Sequence, residues 1–165
     1  MNAYRETDLK GRKHFSEDFG HLYITAGTEE DTDRIDVLAT AITAPERTYA
    51  IEIKDYTNSD HERNYTKFIY KDKGKDEYTD HGYQVDYDKI DYLMTTCKEE
   101  NRIPILYARF SDYTIVWDLR TIPYKERSRM VLVNADGQHY GERKEAALQT
   151  YLFISEARYK KLTNN

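Results

Sequence analysis

Three residues in a β-rich part of the chain, two acidic and one basic, have a spacing that could bring their side chains together. Glu52 and Lys54 lie two positions apart in the run Ala50–Tyr56, and Asp36 lies sixteen positions before Glu52. Because side chains alternate between the two faces of a strand, Glu52 and Lys54 point the same way. If Asp36 lies on the neighbouring strand, two carboxylates and one ammonium group converge. Such a set suits divalent-metal binding and phosphodiester chemistry.

The sequence around these residues predicts a β-hairpin. The β-branched run Ile35–Ile42 and the run Thr48–Lys54 both have strand length, and Pro45 lies in the turn between them. Carboxylates in strands this apolar need partners when they are buried, and the local sequence offers only one another or a bound cation. Mg²⁺ (or Mn²⁺) prefers hard oxygen ligands, so we expect Asp36 and Glu52 to be its ligands.

Helical periodicity predicts two helices on either side of this hairpin. Phe15, Phe19, Leu22 and Tyr23 recur at helical spacing and predict a helix from Arg12 to about Ile24, followed by a polar loop, Ala26–Asp33. The second helix begins after an N-cap at Asp86 and ends near Asn101. Its apolar stripe consists of Ile90, Leu93, Met94 and Cys97, which gives Cys97 a packing role.

Further strands are predicted between and after the helices. The segment Asp55–His81 is strongly polar, with a short strand at Thr66–Tyr70, and is either a substrate-facing excursion or an ordinary solvated loop. The remaining elements are a second hairpin (Ile103–Phe110 and Thr114–Leu119), strands at Met130–Val133 and Leu148–Ile154 with a turn at Asp136-Gly137, and a last helix from Ser155 to about Leu162. This order predicts a single α/β domain, residues 1–165, with a mixed β-sheet flanked by helices.

Composition predicts a soluble cytoplasmic protein without membrane contact. The chain of 165 residues contains one cysteine, and it has neither a long apolar run nor the apolar core of a signal peptide. The net charge is −5, which divides into −9 before Leu119 and +4 from Leu119 onward. This asymmetry permits a locally basic face, although scattered solvated charges explain it as well.

The order of these elements resembles the PD-(D/E)XK nuclease superfamily. The features that carry the resemblance are an N-terminal helix, an Asp on the first strand of a hairpin, Glu-x-Lys on the second, and a helix followed by strands, over Arg12 to Leu119. The resemblance implies a restriction-endonuclease-like core in which Asp36 and Glu52 hold Mg²⁺. It also implies that Lys54 positions the attacking water and stabilises charge on the phosphate. Ile35 stands where the proline of the motif is expected, which lowers the specificity of the match.

Three auxiliary residues follow from the same resemblance. Members of the superfamily often carry an acidic residue on the first helix, for which Glu17 and Asp18 are the candidates, and a basic residue on the second, for which Lys89 is the candidate. Glu17 and Asp18 could instead only solvate their helix. A lysine beside Asp88 and Asp91 is also commonly a surface charge.

The function implied by the resemblance is that of a metal-dependent endonuclease acting on DNA in bacterial or phage DNA processing or defence. Cutting two strands with one site per chain predicts a homodimer. The five histidines lack zinc spacing, and the chain has no glycine-rich phosphate loop. The alternative is a non-catalytic binding or assembly protein of the same fold, whose sixteen tyrosines contact a protein partner.

Overall fold

The central strands of the protein carry the long apolar runs that a sheet covered on both faces requires. A computed structural model describes residues 3–26, 34–55, 82–110, 113–132 and 146–161. The helices are α1 (Ala3–Phe19), α2 (Tyr87–Glu99) and α3 (Tyr124–Arg127), with short 3-10 turns at Leu119–Thr121 and Ile154–Glu156. The strands are β1 (Tyr23–Ala26), β2 (Val37–Ala41), β3 (Thr48–Asp55), β4 (Gly82–Asp86), β5 (Ile103–Arg109), β6 (Tyr113–Asp118), β7 (Ser128–Leu132), β8 (Ala146–Phe153) and β9 (Arg158–Lys161).

The strands form two sheets. The main sheet has six strands in the order β1-β2-β3-β5-β6-β9, and the smaller one has three in the order β4-β8-β7. In the main sheet β3 and β5 are parallel, with Tyr49 opposite Ile103 and Asp55 opposite Arg109, while the other neighbours are antiparallel. The prediction of an α/β fold with a mixed sheet flanked by helices is therefore confirmed.

The two sides of β3 face different hydrophobic clusters. Ile51 and Ile53 pack with Phe15 of α1, whereas Ala50 belongs to the cluster that contains Ile90 of α2 and Trp117 of β6. The period of two along β3 thus places Glu52 and Lys54 on the α2 side of the sheet and Asp55 on the α1 side. The side of the sheet that α2 covers is the α2 face, and the side that α1 covers is the α1 face.

A glycine allows α1 to lie close to the sheet. A Cβ atom at Gly11 would lie 2.7 Å from Ile53 Cγ2 and 3.5 Å from Asp55 Cβ. The first of these distances is shorter than normal van der Waals contact, so a larger residue would push α1 away from β3. Gly11 therefore sets the distance between the helix and the strand that carries the candidate site.

The hairpins and the second helix were predicted correctly. The β2–β3 hairpin is antiparallel with Val37 opposite Ile51, and β5 pairs with β6 in the same way. The α2 helix begins after Asp86, whose side chain accepts a hydrogen bond from the Asp88 N–H at 3.0 Å. Cys97 is 1% exposed in its packing role, and burial raises its pKa to about 11.

The ends of the chain differ from the prediction. The first helix begins at Ala3 and ends at Phe19 rather than near Ile24, because residues 23–26 form an edge strand that pairs with β2. The prediction of a last helix from Ser155 to Leu162 is wrong. Arg158–Lys161 is a strand that pairs with β6, so that backbone N–H and C=O groups at this edge of β6 are hydrogen-bonded.

Smaller differences concern β4 and the segments around it. The β4 strand was not predicted, and it pairs with β8, more than sixty residues later in the chain. The predicted strands at Met130–Val133 and Leu148–Ile154 correspond to β7 and β8. The predicted loop Ala26–Asp33 beyond its first residue, the strand Thr66–Tyr70 and the Asp136-Gly137 turn lie outside the described residues. No helix in the described ranges is long and apolar enough to cross a bilayer.

Candidate functional site

Glu52 is the centre of the candidate site. It lies on the α2 face of β3 and is only 3% exposed. Lys54 Nζ donates a hydrogen bond to Glu52 Oε1 at 2.6 Å, and Lys89 Nζ donates to the same oxygen at 3.0 Å. Lys89 belongs to the first turn of α2, which the Asp86 cap fixes. The structure therefore brings together Glu52, Lys54 and Lys89.

Asp36 lies beside this cluster. It was expected within the first strand of the hairpin, but it immediately precedes β2, which begins at Val37. Because Val37 is opposite Ile51, continuing the register by one residue puts Asp36 across from Glu52. Its Oδ2 accepts a hydrogen bond from the Ile53 N–H at 2.7 Å, which fixes the carboxylate against β3.

The two carboxylates have opposite pKa shifts. Burial, and secondly the charge of Glu52, raise the pKa of Asp36 to about 6. Burial also raises the pKa of Glu52, but the ammonium groups of Lys54 and Lys89 outweigh this and hold it below its usual value. Near neutral pH Glu52 is therefore ionised, whereas Asp36 loses its proton only as the pH passes about 6.

Lys54 keeps its proton under the same conditions. Burial alone would lower the pKa of its ammonium group, but the nearby charges of Glu52 and Asp36 raise it above its usual value. Lys54 is therefore a hydrogen-bond donor and a fixed positive charge near neutral pH. It is not a proton acceptor.

The two carboxylates of the site, those of Asp36 and Glu52, are suitable ligands for Mg²⁺ but fill only part of its coordination. The hydrogen bonds described above engage Oδ2 of Asp36 and Oε1 of Glu52, one oxygen of each carboxylate. Mg²⁺ commonly binds through one or two carboxylates together with waters and substrate phosphates. Within the part of the chain that the structure describes, no group of three or more His, Cys, Asp or Glu residues could hold a metal ion. A Mg²⁺ ion here would have Asp36 and Glu52 as protein ligands, with waters or a substrate phosphate in its remaining positions.

No protein-family model, curated protein or solved structure matches this chain. The assignment of the site therefore rests on the chemistry and the positions of its own residues.

The two acidic candidates of the first helix lie elsewhere. Asp18 Oδ2 accepts hydrogen bonds from Tyr107 Oη at 2.7 Å and from Arg109 Nη1 at 3.0 Å, on the α1 face of the sheet. Glu17 is exposed, and its Oε1 atom lies 3.8 Å from Lys13 Nζ. The structure does not bring either residue to Glu52, because α1 packs on the opposite face of the sheet.

A second ionic cluster was missed by the sequence interpretation. Asp55, whose side chain is 2% exposed, bonds through Oδ2 to His14 Nδ1, and its Oδ1 lies 3.9 Å from Lys10 Nζ. The sequence contained a signal for this cluster. Lys10 and His14 are four residues apart and therefore share one side of α1. Asp55 directly follows Lys54 and therefore points to the opposite face of the sheet from Lys54. The cluster joins α1 to the end of β3.

Proposed function

We propose that this protein is a magnesium-dependent nuclease of the PD-(D/E)XK type that hydrolyses phosphodiester bonds in DNA. The observation that carries the proposal is the convergence of Lys54 and Lys89 on the buried carboxylate of Glu52, with Asp36 next to it across the hairpin. The chain order of helix, acidic hairpin, helix and hairpin supports the same proposal, as does the parallel pairing of β3 with β5.

Each residue has a distinct role in the proposed reaction. Asp36 and Glu52 would hold Mg²⁺, which supplies Lewis-acid charge and lowers the pKa of a bound water. Lys54 donates a hydrogen bond and its charge offsets the negative charge that builds on the phosphate in the transition state. Because both carboxylates are fixed to backbone or ammonium partners, they are oriented before substrate binds.

Lys89 marks the direction from which a phosphate approaches. Its side chain is 52% exposed and that of Lys54 is 27% exposed, whereas Glu52 is almost fully buried. The two lysine side chains are therefore the parts of the cluster that solvent reaches most readily. A phosphate of the DNA backbone arriving from solvent would contact Lys89 first and then Lys54.

The biological setting and the assembly belong to the same proposal. A small nuclease of this type fits bacterial or phage DNA processing or defence. Two chains with one site each would cut both strands of a duplex in a single binding event, so we propose a homodimer.

One observation favours a second candidate function, that of a non-catalytic binding protein. Lys54 and Lys89 both bond to a single oxygen of Glu52, so the charge of this carboxylate is already compensated by cations of the chain itself. A protein with a net charge of −5 also lacks the overall positive charge typical of DNA-binding proteins. In this case the cluster would be structural, and a protein would be the partner.

Cleavage assays distinguish the two functions. Plasmid and single-stranded DNA are incubated with Mg²⁺ or Mn²⁺ and with wild type, Glu52→Gln, Lys54→Ala or the control Glu100→Gln, which changes an exposed carboxylate outside the site. We expect wild type and the control to cleave, and each site variant to lose at least about 100-fold in rate. Equal nicking by all four proteins, or none by wild type across pH and metals, would refute the enzymatic proposal.

A further inference from the structure

A cavity of about 410 Å³ lies on the α1 face of the main sheet, away from Glu52. It opens where α1 ends, over the amino ends of β3 and β5, and its floor includes Ile51 and Ile105. Cavities of this size are typical of sites for small molecules. Glu52 and Lys54 lie on the α2 face and nearer the carboxyl end of β3, so the cavity is a separate feature.

Aromatic side chains form one wall of this cavity. Phe19, Tyr23 and Tyr49 line it and are only partly buried. The ring centroids of Phe19 and Tyr23 are 6.2 Å apart and those of Tyr23 and Tyr49 are 5.2 Å apart, both in edge-to-face geometry. The protein therefore leaves a partly exposed aromatic surface against which another planar ring can pack.

Three arginines and one aspartate supply the charge of the cavity. Arg120 is bound to Asp118 by two hydrogen bonds, Nε to Oδ1 at 2.9 Å and Nη2 to Oδ2 at 2.6 Å. Arg158 also acts on the charge of Asp118, though less strongly than Arg120 does. With three arginines and one aspartate, the lining has a formal charge of +2, and Arg47 and Arg158 are the arginines without a hydrogen bond to Asp118 among the described contacts. Both residues are exposed, and they come from the turn before β3 and from β9.

We propose that this cavity binds a nucleotide, with the base against the aromatic wall and the phosphate held by Arg47 and Arg158. The guanidinium group matches phosphate oxygens with a planar pair of N–H donors, and bases of any identity stack on aromatic side chains. The anionic part of the ligand explains a concentration of arginines in a chain whose net charge is −5. The ligand is either a free mononucleotide or the 5′-phosphorylated terminal nucleotide of a strand.

The proposal is independent of nuclease activity, because its residues lie on the other face of the sheet from Glu52. A protein that cleaves no DNA would still bind a nucleotide here, and an active nuclease without nucleotide binding at Arg47 and Arg158 would refute this inference alone.

Isothermal titration calorimetry tests the proposal on the full chain. The probes are deoxyadenosine 5′-monophosphate, deoxyadenosine, inorganic phosphate, and a short oligonucleotide with or without a 5′-phosphate. The proteins are wild type, Arg47→Gln/Arg158→Gln, Tyr49→Leu, and the control Arg102→Gln, whose guanidinium pairs with Glu100 outside this cavity. Circular dichroism verifies that each variant is folded.

We expect the monophosphate to bind at least about tenfold more tightly than either the nucleoside or phosphate, since charged hydrogen bonds and stacking both contribute. The double arginine variant should lose about tenfold or more in affinity, Tyr49→Leu about fivefold or more, and the control should equal wild type. Comparing the oligonucleotides with the free monophosphate identifies the source of the ligand. A monophosphate that binds no better than phosphate, or equally well to the double variant, would overturn the proposal.

Discussion

Glu52 is a buried carboxylate whose ionisation depends on two ammonium groups. Its 3% exposure would favour the neutral form, but hydrogen bonds from Lys54 and Lys89 keep it charged. Burial, and secondly the charge of Glu52, raise the pKa of Asp36 to about 6, and no cation lies at hydrogen-bond distance from it among the described contacts. At the scale of single residues the site therefore combines a carboxylate whose pKa is held below its usual value with one whose pKa is raised to about 6.

Replacing Asp36 with Asn should stabilise the metal-free protein at alkaline pH. The pKa of Asp36 is about 6 in the folded chain against a usual value of 3.8, so ionisation costs the folded state free energy as the pH rises through this window. Asn keeps an oxygen for the Ile53 N–H but carries no charge. We expect Asp36→Asn to raise the free energy of unfolding by about 1–2 kcal/mol at pH 8, and by progressively less toward pH 4.

Urea denaturation across this pH range, in the presence of a chelator, measures the effect. Glu46→Gln, which removes an exposed carboxylate from a turn, is the control for the loss of one negative charge. A constant difference between Asp36→Asn and wild type from pH 4 to pH 8 would contradict the raised pKa.

Lys89 should contribute to DNA binding and cleavage more than another lysine of the same helix. Lys89→Ala removes an ammonium group from Glu52, whereas Lys98→Ala removes an exposed one nine residues later, on the other side of α2. We expect Lys89→Ala to lower the cleavage rate about tenfold, a typical loss for a charged hydrogen bond, and Lys98→Ala to leave it unchanged. Equal rates for the two variants in a single-turnover assay would show that Lys89 is only a surface charge.

At the scale of elements, two strands and one helix position the site. The β2–β3 hairpin places Asp36 across from Glu52, and α2 brings Lys89 over the same face. The start of α2 is fixed by Asp86, the last residue of β4, so the smaller sheet also determines where Lys89 lies. Gly11 has a related role on the opposite face, where it allows α1 to approach β3.

The cap of α2 gives a prediction at this scale. Asp86→Ala removes the acceptor of the Asp88 N–H and should lower the free energy of unfolding by about 1 kcal/mol, whereas Asp86→Asn keeps an acceptor and should cost much less. Thermal denaturation measures both variants, and cleavage should fall with Asp86→Ala because Lys89 is in the first turn. If Asn destabilises the protein as much as Ala, the charge of Asp86 matters rather than its hydrogen bond.

Local patterns in the sequence predicted the hairpins and α2, because alternation and helical spacing reflect which side chains face the core. They failed for β4 and β9, whose pairing partners β8 and β6 are distant in the chain. Arg158–Lys161 is polar and carries little strand signal, and only the open edge of β6 explains its conformation. Likewise, the position of Glu52 and Lys54 on one face followed from their spacing, whereas the bond between Asp55 and His14 required knowledge of how α1 packs.

At the scale of the whole molecule, the main sheet separates two chemically different surfaces. The α2 face carries the cluster of Glu52, Lys54 and Lys89, and the α1 face carries the ionic cluster of Asp55 and the cavity with Arg47 and Arg158. Because β3 contributes to both faces, one strand supplies the candidate catalytic residues and part of the nucleotide cavity. We propose that phosphodiester cleavage takes place on the α2 face alone.

The rate of plasmid nicking as a function of Mg²⁺ concentration tests that claim most directly. For wild type we predict a rate that is negligible with a chelator and rises to saturation with Mg²⁺, as expected if Asp36 and Glu52 hold the ion. For Glu52→Gln we predict a rate at least about 100-fold lower at every Mg²⁺ concentration. A wild-type rate that does not depend on Mg²⁺, or a Glu52→Gln rate equal to that of wild type, would contradict the account.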